Sequence, residues 1–424
     1  MARGYLRIGR ALRHRNFQLY FVGQGTSLVG TWLTKFATAY MAYRLTGSTL
    51  MLGLVAFASN APSSILAPFA GVIVDRSSRQ RVILITQIAA GLQSAALAVF
   101  ALTGIMNVWH LMWLGAVQGV INAFDMPARQ SFVRELIEDK GDLSNAIALN
   151  SSLVNVAKMG GPAIAAALVA LVGEGWCFTI DALSYLAVIG SLLAIKVTNP
   201  IPPNKRADVK EQLMAGLRYV QADPVIKSVL LLLTVTSLLG GAYLQMLPAV
   251  AAEEVGHSPS TLGILMASGG LGALTGALYL ASREDTKGLA TLIMRVTASL
   301  GVGLVLLLVA STTWTAVPVL FIVGFSLMIQ MAATNTIIQT MVEPTMLGRV
   351  IALYLMVWTG GMPLGAFLQG LIAERFGAVH TLAAGGALVL VAAVVFRAKL
   401  PAIRAARRAW RERTSETPDM AAAT

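Results

Sequence analysis

The sequence predicts an all-α integral membrane protein: twelve transmembrane helices in two pseudo-symmetric six-helix bundles, with both termini in the cytoplasm. Three observations predict it. Of 424 residues, 56% are hydrophobic and 12% charged, where a soluble chain carries roughly a quarter charged residues, and mean hydropathy is +0.71. The apolar residues fall in long runs, and a helix needs roughly 20 of them to cross about 30 Å of hydrocarbon. Lys and Arg collect in alternate breaks between the runs, as the positive-inside rule requires of cytoplasmic loops.

The elements follow in order. Residues 1–16 hold Arg3, Arg7, Arg10, Arg13 and Arg15 and read as a basic cytoplasmic N-terminus. The apolar stretch after them is long and has no small-residue cleavage site, so it is expected to be a retained helix and not a signal peptide. Runs near 17–43, 47–74, 81–103, 107–128, 145–173 and 176–196 make a first bundle, residues 17–196. The polar stretch 197–222, with Pro200, Pro202, Pro203, Lys205, Arg206, Lys210 and Arg218, reads as a cytoplasmic linker. Its piece around 208–221 is amphipathic and suits the membrane interface. Runs near 223–252, 258–281, 288–311, 314–341, 347–376 and 379–399 make the second bundle, residues 223–399. Residues 400–424 continue as a basic cytoplasmic tail, expected to be partly disordered.

Charge alternation orients the set. The breaks at 75–81, 129–140, 283–287 and 343–349, with the linker, hold the basic residues. Those around 47, 103–107, 173–175, 253–258 and 311–313 hold almost none. Arg44 and the Glu374-Arg375 pair depart from the pattern.

Other classes are excluded. The net charge of +12 follows the loops and termini instead of forming a nucleic-acid patch. A single cysteine, Cys177, cannot form an intramolecular disulfide. No Gly-x-x-x-x-Gly-Lys-[Ser/Thr] phosphate loop is present, and four His are scattered without metal-ligand spacing. No enzyme, metal or cofactor is expected.

The halves echo one another. Gln130-Ser131-Phe132-Val133 and Asn145-Ala146-Ile147-Ala148-Leu149 have counterparts in Gln339-Thr340-Met341-Val342 and Arg349-Val350-Ile351-Ala352-Leu353. About twelve residues on lie Gly160-Gly161-Pro162 and Gly360-Gly361-Met362-Pro363. Parallel repeats of this kind let secondary transporters build a midplane site between two halves.

The run Gly71-Val72-Ile73-Val74-Asp75-Arg76-Ser77-Ser78-Arg79-Gln80-Arg81 resembles the loop signature of the major facilitator superfamily, with Ser78 where the family pattern has a later Gly. Gly71 would let two helices approach closely, and Asp75 could meet the positive N-terminal end of another helix. The resemblance implies that this partner is the eleventh helix and that the contact holds the cytoplasmic side closed. The alternative is a charged loop that merely obeys the positive-inside rule. Four further runs, at 12–17, 124–130, 173–178 and 373–377, are similar to the branch containing the enterobactin exporter and macrolide efflux proteins, the transmembrane secretion effector type. That resemblance implies the major facilitator fold, a bacterial cytoplasmic (inner) membrane location, and proton-driven export of a small organic molecule by a protein working as a monomer. An importer or lipid flippase of the same fold, and a non-transporting scaffold or sensor, are the alternatives.

Charges inside the spans are costly and therefore mark function by default. Lys35 falls on the first helix, Asp125 on the fourth, Lys158 on the fifth and Asp181 on the sixth. Lys158 and Asn155, one helical turn apart, are expected to face the central cavity. There Lys158 would meet an anionic substrate group or pair with a carboxylate. Asp125 suits a cytoplasmic charge cluster with Arg76 or Arg129, and Asp181 a local structural role or proton carriage. Gln24, Gln118 and Asn122 are expected to line the cavity, because helices one, four, seven and ten do so in the superfamily. Met246, Met328, Met331 and Trp358 could add an adaptable apolar wall. Gly160-Gly161-Pro162 is similar to an exporter motif of the superfamily; proline bends a helix and glycine permits close packing. Small residues are also common wherever membrane helices pack.

Overall fold

Residues 10–137, 139–197, 209–255, 258–283 and 288–415 are described in a computed structural model, and among them the chain forms helices and no strand. Long helices run α1 Arg15–Thr46, α2 Thr49–Asp75, α3 Arg79–Leu102, α4 Val108–Phe132, α5 Leu143–Val172 and α6 Glu174–Ala194. After the linker come α7 Pro224–Glu253, α8 Pro259–Ala281, α9 Leu289–Leu306, α10 Thr313–Met341, α11 Pro344–Phe376 and α12 Ala378–Ser415. Starts are set by side chains that accept the otherwise unpaired first N–H groups. Ser48 caps α2, Asp223 caps α7 just before Pro224, and Ser258 caps α8 just before Pro259. Asn107 with His110 and Thr312 with Thr315 form reciprocal caps on α4 and α10.

Ten of these helices are long and apolar enough to cross a membrane. The two that fall short by composition are α1 and α4. Both are long enough, but α1 carries Arg15, Gln24, Lys35 and Arg44, and α4 carries His110, Gln118, Asn122, Asp125 and Arg129. Their polarity is the reason a count by hydropathy stops at ten.

Three elements differ from expectation. The seventh run is one span but not one regular helix: π-turns at Thr236–Gly240 and Ala251–Val255 interrupt it. Gly240-Gly241 and Pro248 supply the weak points, since proline removes a ladder hydrogen bond and π-turns insert an extra residue. The amphipathic stretch forms a helix, Val209–Ala222. It packs on α11, with Gly216 against Arg349 and Leu353, so part of its apolar face is answered by protein. The last helix does not stop near 399; it continues past Pro401 to Ser415.

Packing repeats with a shift of six helices. In the first half α1 packs on α5 and α6, α2 on α4, and α3 on α4 and α6. In the second half α7 packs on α11 and α12, α8 on α10, and α9 on α10 and α12. The halves meet along two long seams, α2 with α11 and α5 with α8. On the first seam Gly53 and Gly370 face each other, and a Cβ on either would strike the opposite backbone. Side chains this small are what let membrane helices touch.

Candidate functional site

A cavity lies between the halves, about 630 Å³ when the solvent space adjoining it is included. Its wall takes Trp32 from α1, Lys158 and Pro162 from α5, Tyr243 from α7, Met266 from α8, Met328 and Met331 from α10, and Trp358 and Met362 from α11. Two matched glycines bring these helices in. Gly161 lies directly against Trp32, and Gly361 against Ser237 of α7. Any larger residue there would push α5 off α1 or α11 off α7. Gly160, next to Gly161, has open space where a Cβ would stand. Of the two glycines in the helix-five motif, only Gly161 serves packing, while Pro162 reaches the cavity.

Lys158 lines the cavity, and no ion pair joins it to a carboxylate among the described residues. Lys35 is exposed, with its Nζ 4.7 Å from the centre of the Trp32 ring. That is within range for a cation–π contact. Asn155 lies on α5, but its side chain is outside the described part.

The remaining cavity candidates sit elsewhere. Asp125 is buried in the first half, its Oδ1 accepting from Thr86 Oγ1 at 2.8 Å and Gln87 Nε2 at 2.9 Å, while Arg129 Nε donates to Oδ2. The cluster partner is thus Arg129; Arg76 is exposed. Asp181 is 1% exposed and accepts from Thr34 of α1 at 2.8 Å and Ser94 of α3. Both carboxylates bind helices within one half instead of facing the cavity, because hydroxyl and amide donors on neighbouring helices answer their charge. Gln24 is buried, and Gln118 donates to Asn122 at 3.1 Å along α4; none of the three is part of the cavity wall. Met246 belongs to the core, fully buried, whereas Met328, Met331 and Trp358 do face the cavity.

The loop motif between α2 and α3 is partly a packing device. Arg79 is buried and donates to Glu135 at 2.9 Å, tying α3 to the segment after α4. Arg76 and Arg81 are exposed. Gly71 does not serve a close approach here, since nothing lies within 4 Å of where its Cβ would be. The Asp75 side chain lies outside the described part.

At the opposite end the halves are fastened together. Glu374, near the end of α11, accepts from Ser48 Oγ at 2.9 Å, Thr49 Oγ1 at 3.1 Å and Leu50 N at 3.0 Å. It therefore caps the N-terminus of α2 across the seam, where a negative charge meets the positive end of the helix. Glu253 of α7 accepts from Tyr43 OH of α1 at 3.0 Å and from Ala378 N at 3.1 Å. Between described residues, the α2–α11 hydrogen bonds run no deeper than Ser64 Oγ to Thr359 O at 3.0 Å. The sequence marks neither Glu253 nor Glu374 as a site residue. The one signal is the departure of the Glu374-Arg375 pair from the alternation of basic loops.

With that geometry in view, the comparisons with known proteins are consistent. The family model described as transmembrane secretion effector matches residues 10–423. Macrolide efflux protein A of Streptococcus pyogenes is 24% identical over 397 residues, covering 90% of this chain and 96% of that protein. The enterobactin exporter EntS of Shigella dysenteriae is 26% identical over 397 residues, covering 92% and 93%. Among solved structures, a bacterial homologue of the human lysosomal transporter Spinster, inward-facing and unoccupied, superposes with a TM-score of 0.69 at 14% identity, covering 90% and 95%. A variant of the peptide transporter POT gives 0.72 at 13% identity, covering 92% and 94%.

Proposed function

The chain belongs to the transmembrane secretion effector family, whose members are major facilitator transporters and not enzymes, and on that premise we propose that it is a proton-coupled secondary exporter of a small organic molecule. The observation that carries the reading is the cavity between two matched halves, fastened at one end by Glu374 and Glu253. A central site flanked by two seams suits alternating access, in which the halves rock about the site and expose it to each side in turn.

The same reading assigns twelve spans, one bundle from residues 17–196 and another from 223–399, both ends in the cytoplasm, and a monomer in the bacterial inner membrane. The basic breaks at the end of the molecule away from Glu374 support that orientation. The state described is then open to the cytoplasm and closed outside. The cargo is a drug, siderophore or other secondary metabolite, by analogy with the relatives' names. In this scheme Asp75, Arg76, Arg79 and Arg81 with Gly71 form the inner latch that closes when the site turns outward.

Everted membrane vesicles test the proposal. Energised vesicles containing the protein should accumulate a labelled catecholate siderophore, and a protonophore should abolish the accumulation. Movement only down the substrate gradient, indifferent to the protonophore, would refute proton coupling; uptake confined to right-side-out vesicles would refute export. The orientation has its own check: green fluorescent protein fused after Thr424 should fluoresce, and alkaline phosphatase fused there should be inactive.

A further inference from the structure

The cavity carries an electrostatic asymmetry that bears on its ligand, if the cavity is indeed the transport site. Among the described residues, Lys158 is the one charged side chain in the wall. The carboxylates nearest the middle of the spans are committed elsewhere: Asp125 to Arg129, Thr86 and Gln87, and Asp181 to Thr34 and Ser94. Lys35, on the Trp32 ring face, lies within electrostatic reach of both Asp181 and Lys158. No ion pair among the described residues joins either ammonium to a carboxylate, so the positive charge of Lys158 at the wall is unmatched. An ammonium set in an apolar wall with no carboxylate beside it loses hydration without gaining a counter-charge.

The rest of the wall is apolar and aromatic. Trp32, Tyr243 and Trp358 contribute aromatic rings, and Met266, Met328 and Met331 offer a surface that adapts to irregular shapes.

From this pairing of one surplus cation with an aromatic, sulfur-rich wall, we infer that the site is built for organic anions with a bulky aromatic or apolar body, the acidic group seated at Lys158. An anionic ligand brings the missing counter-charge and relieves the cost of the lone ammonium. A cationic ligand of the same shape adds repulsion from both Lys158 and Lys35, so the same charges that attract one class reject the other. Lys158 is thus a specificity-determining residue, and Lys35 reinforces it by holding Trp32 and raising the local potential.

Three fluorescent probes with a common dansyl body separate charge from shape: dansylglycine, an anion; dansylamide, neutral; and dansylcadaverine, a cation. Binding is read by energy transfer from tryptophan in the purified full-length protein, held in phosphatidylcholine nanodiscs so that the lipid carries no net charge. Dansylglycine should bind about tenfold more tightly than dansylamide, and dansylcadaverine most weakly. In Lys158→Gln the affinity for dansylglycine should fall to that for dansylamide, with dansylamide unchanged, and Lys158→Arg should keep the preference. Equal affinities in the unmodified protein, or a preference for the cation, would overturn the inference without need of any variant. A preference that survives Lys158→Gln would overturn the seat at Lys158. Binding needs no gradient, so the two readings fail separately. A protein that prefers the anion but exports nothing loses only the exporter assignment; one that exports but binds all three probes alike loses only the anion assignment.

Discussion

At the scale of single residues, the buried charges divide by what answers them. Asp125 and Arg129 are answered by each other, and removing one charge leaves the other stranded. Asp125→Asn is therefore expected to cost on the order of 3 kcal/mol of stability, read as a clear fall in the thermal unfolding midpoint in detergent. Asp181 is held by two hydroxyl donors, Thr34 and Ser94, which can donate to an amide oxygen as well. Asp181→Asn should cost only about 1 kcal/mol and leave protonophore-sensitive transport in place. Transport that no longer responds to the protonophore would instead put Asp181 in the coupling path. Sequence alone flags both carboxylates as expensive, but it cannot say what answers them. Thr86 and Gln87 lie 39 and 38 positions from Asp125, and only folding brings such donors within reach.

At the scale of helices, two adjacent glycines make a controlled comparison. Gly161→Ala forces a Cβ into Trp32 and should destabilise by roughly 1–3 kcal/mol through overpacking. Gly160→Ala meets open space and should be neutral or stabilise by up to about 1 kcal/mol. Yield of monodisperse protein in size-exclusion chromatography separates them; equal behaviour would remove the α5–α1 contact from the account. The Gly-Gly-Pro string was legible as a packing motif, yet which glycine packs depends on helix rotation that the string does not encode. Gly71 shows the converse, a glycine at a motif position with nothing near it in this state. The outer latch makes a second helix-level prediction. Glu374→Gln removes a charge from the exposed N-terminus of α2 and should weaken the closed end by about 0.3–1 kcal/mol, enough to move a balanced equilibrium roughly two- to fivefold. Spin labels at Leu45 and Trp314, on opposite halves near that end and both exposed, should report a new population at longer distance. An unchanged distance distribution would strip Glu374 of its latch role.

At the scale of the whole molecule, the halves are joined by a linker and by two seams, and the seams should suffice. A protease site inserted near residue 203 and cut after purification should leave two fragments that co-elute and still bind the dansyl probes. Separation on cutting would show that the linker, not the α2–α11 and α5–α8 contacts, holds the pair. The membrane class and the helical content could be read from residue order, because the length of apolar runs answers to the bilayer, a uniform solvent that every segment meets independently, and the family could be read from motif runs spread along the chain. The sequence also pointed to Lys158 as a cavity residue through its charge and its nearness to Pro162. What it could not decide were relations between segments: that α7 is broken, that Asp181 turns into its own half, that Trp32 lies between Lys35 and Gly161, and that Glu374 reaches across to cap α2. Each of these depends on which face of one helix meets which face of another. Small side chains and hydrogen-bond donors far apart in the chain set that choice, so it is made only when the two halves pack.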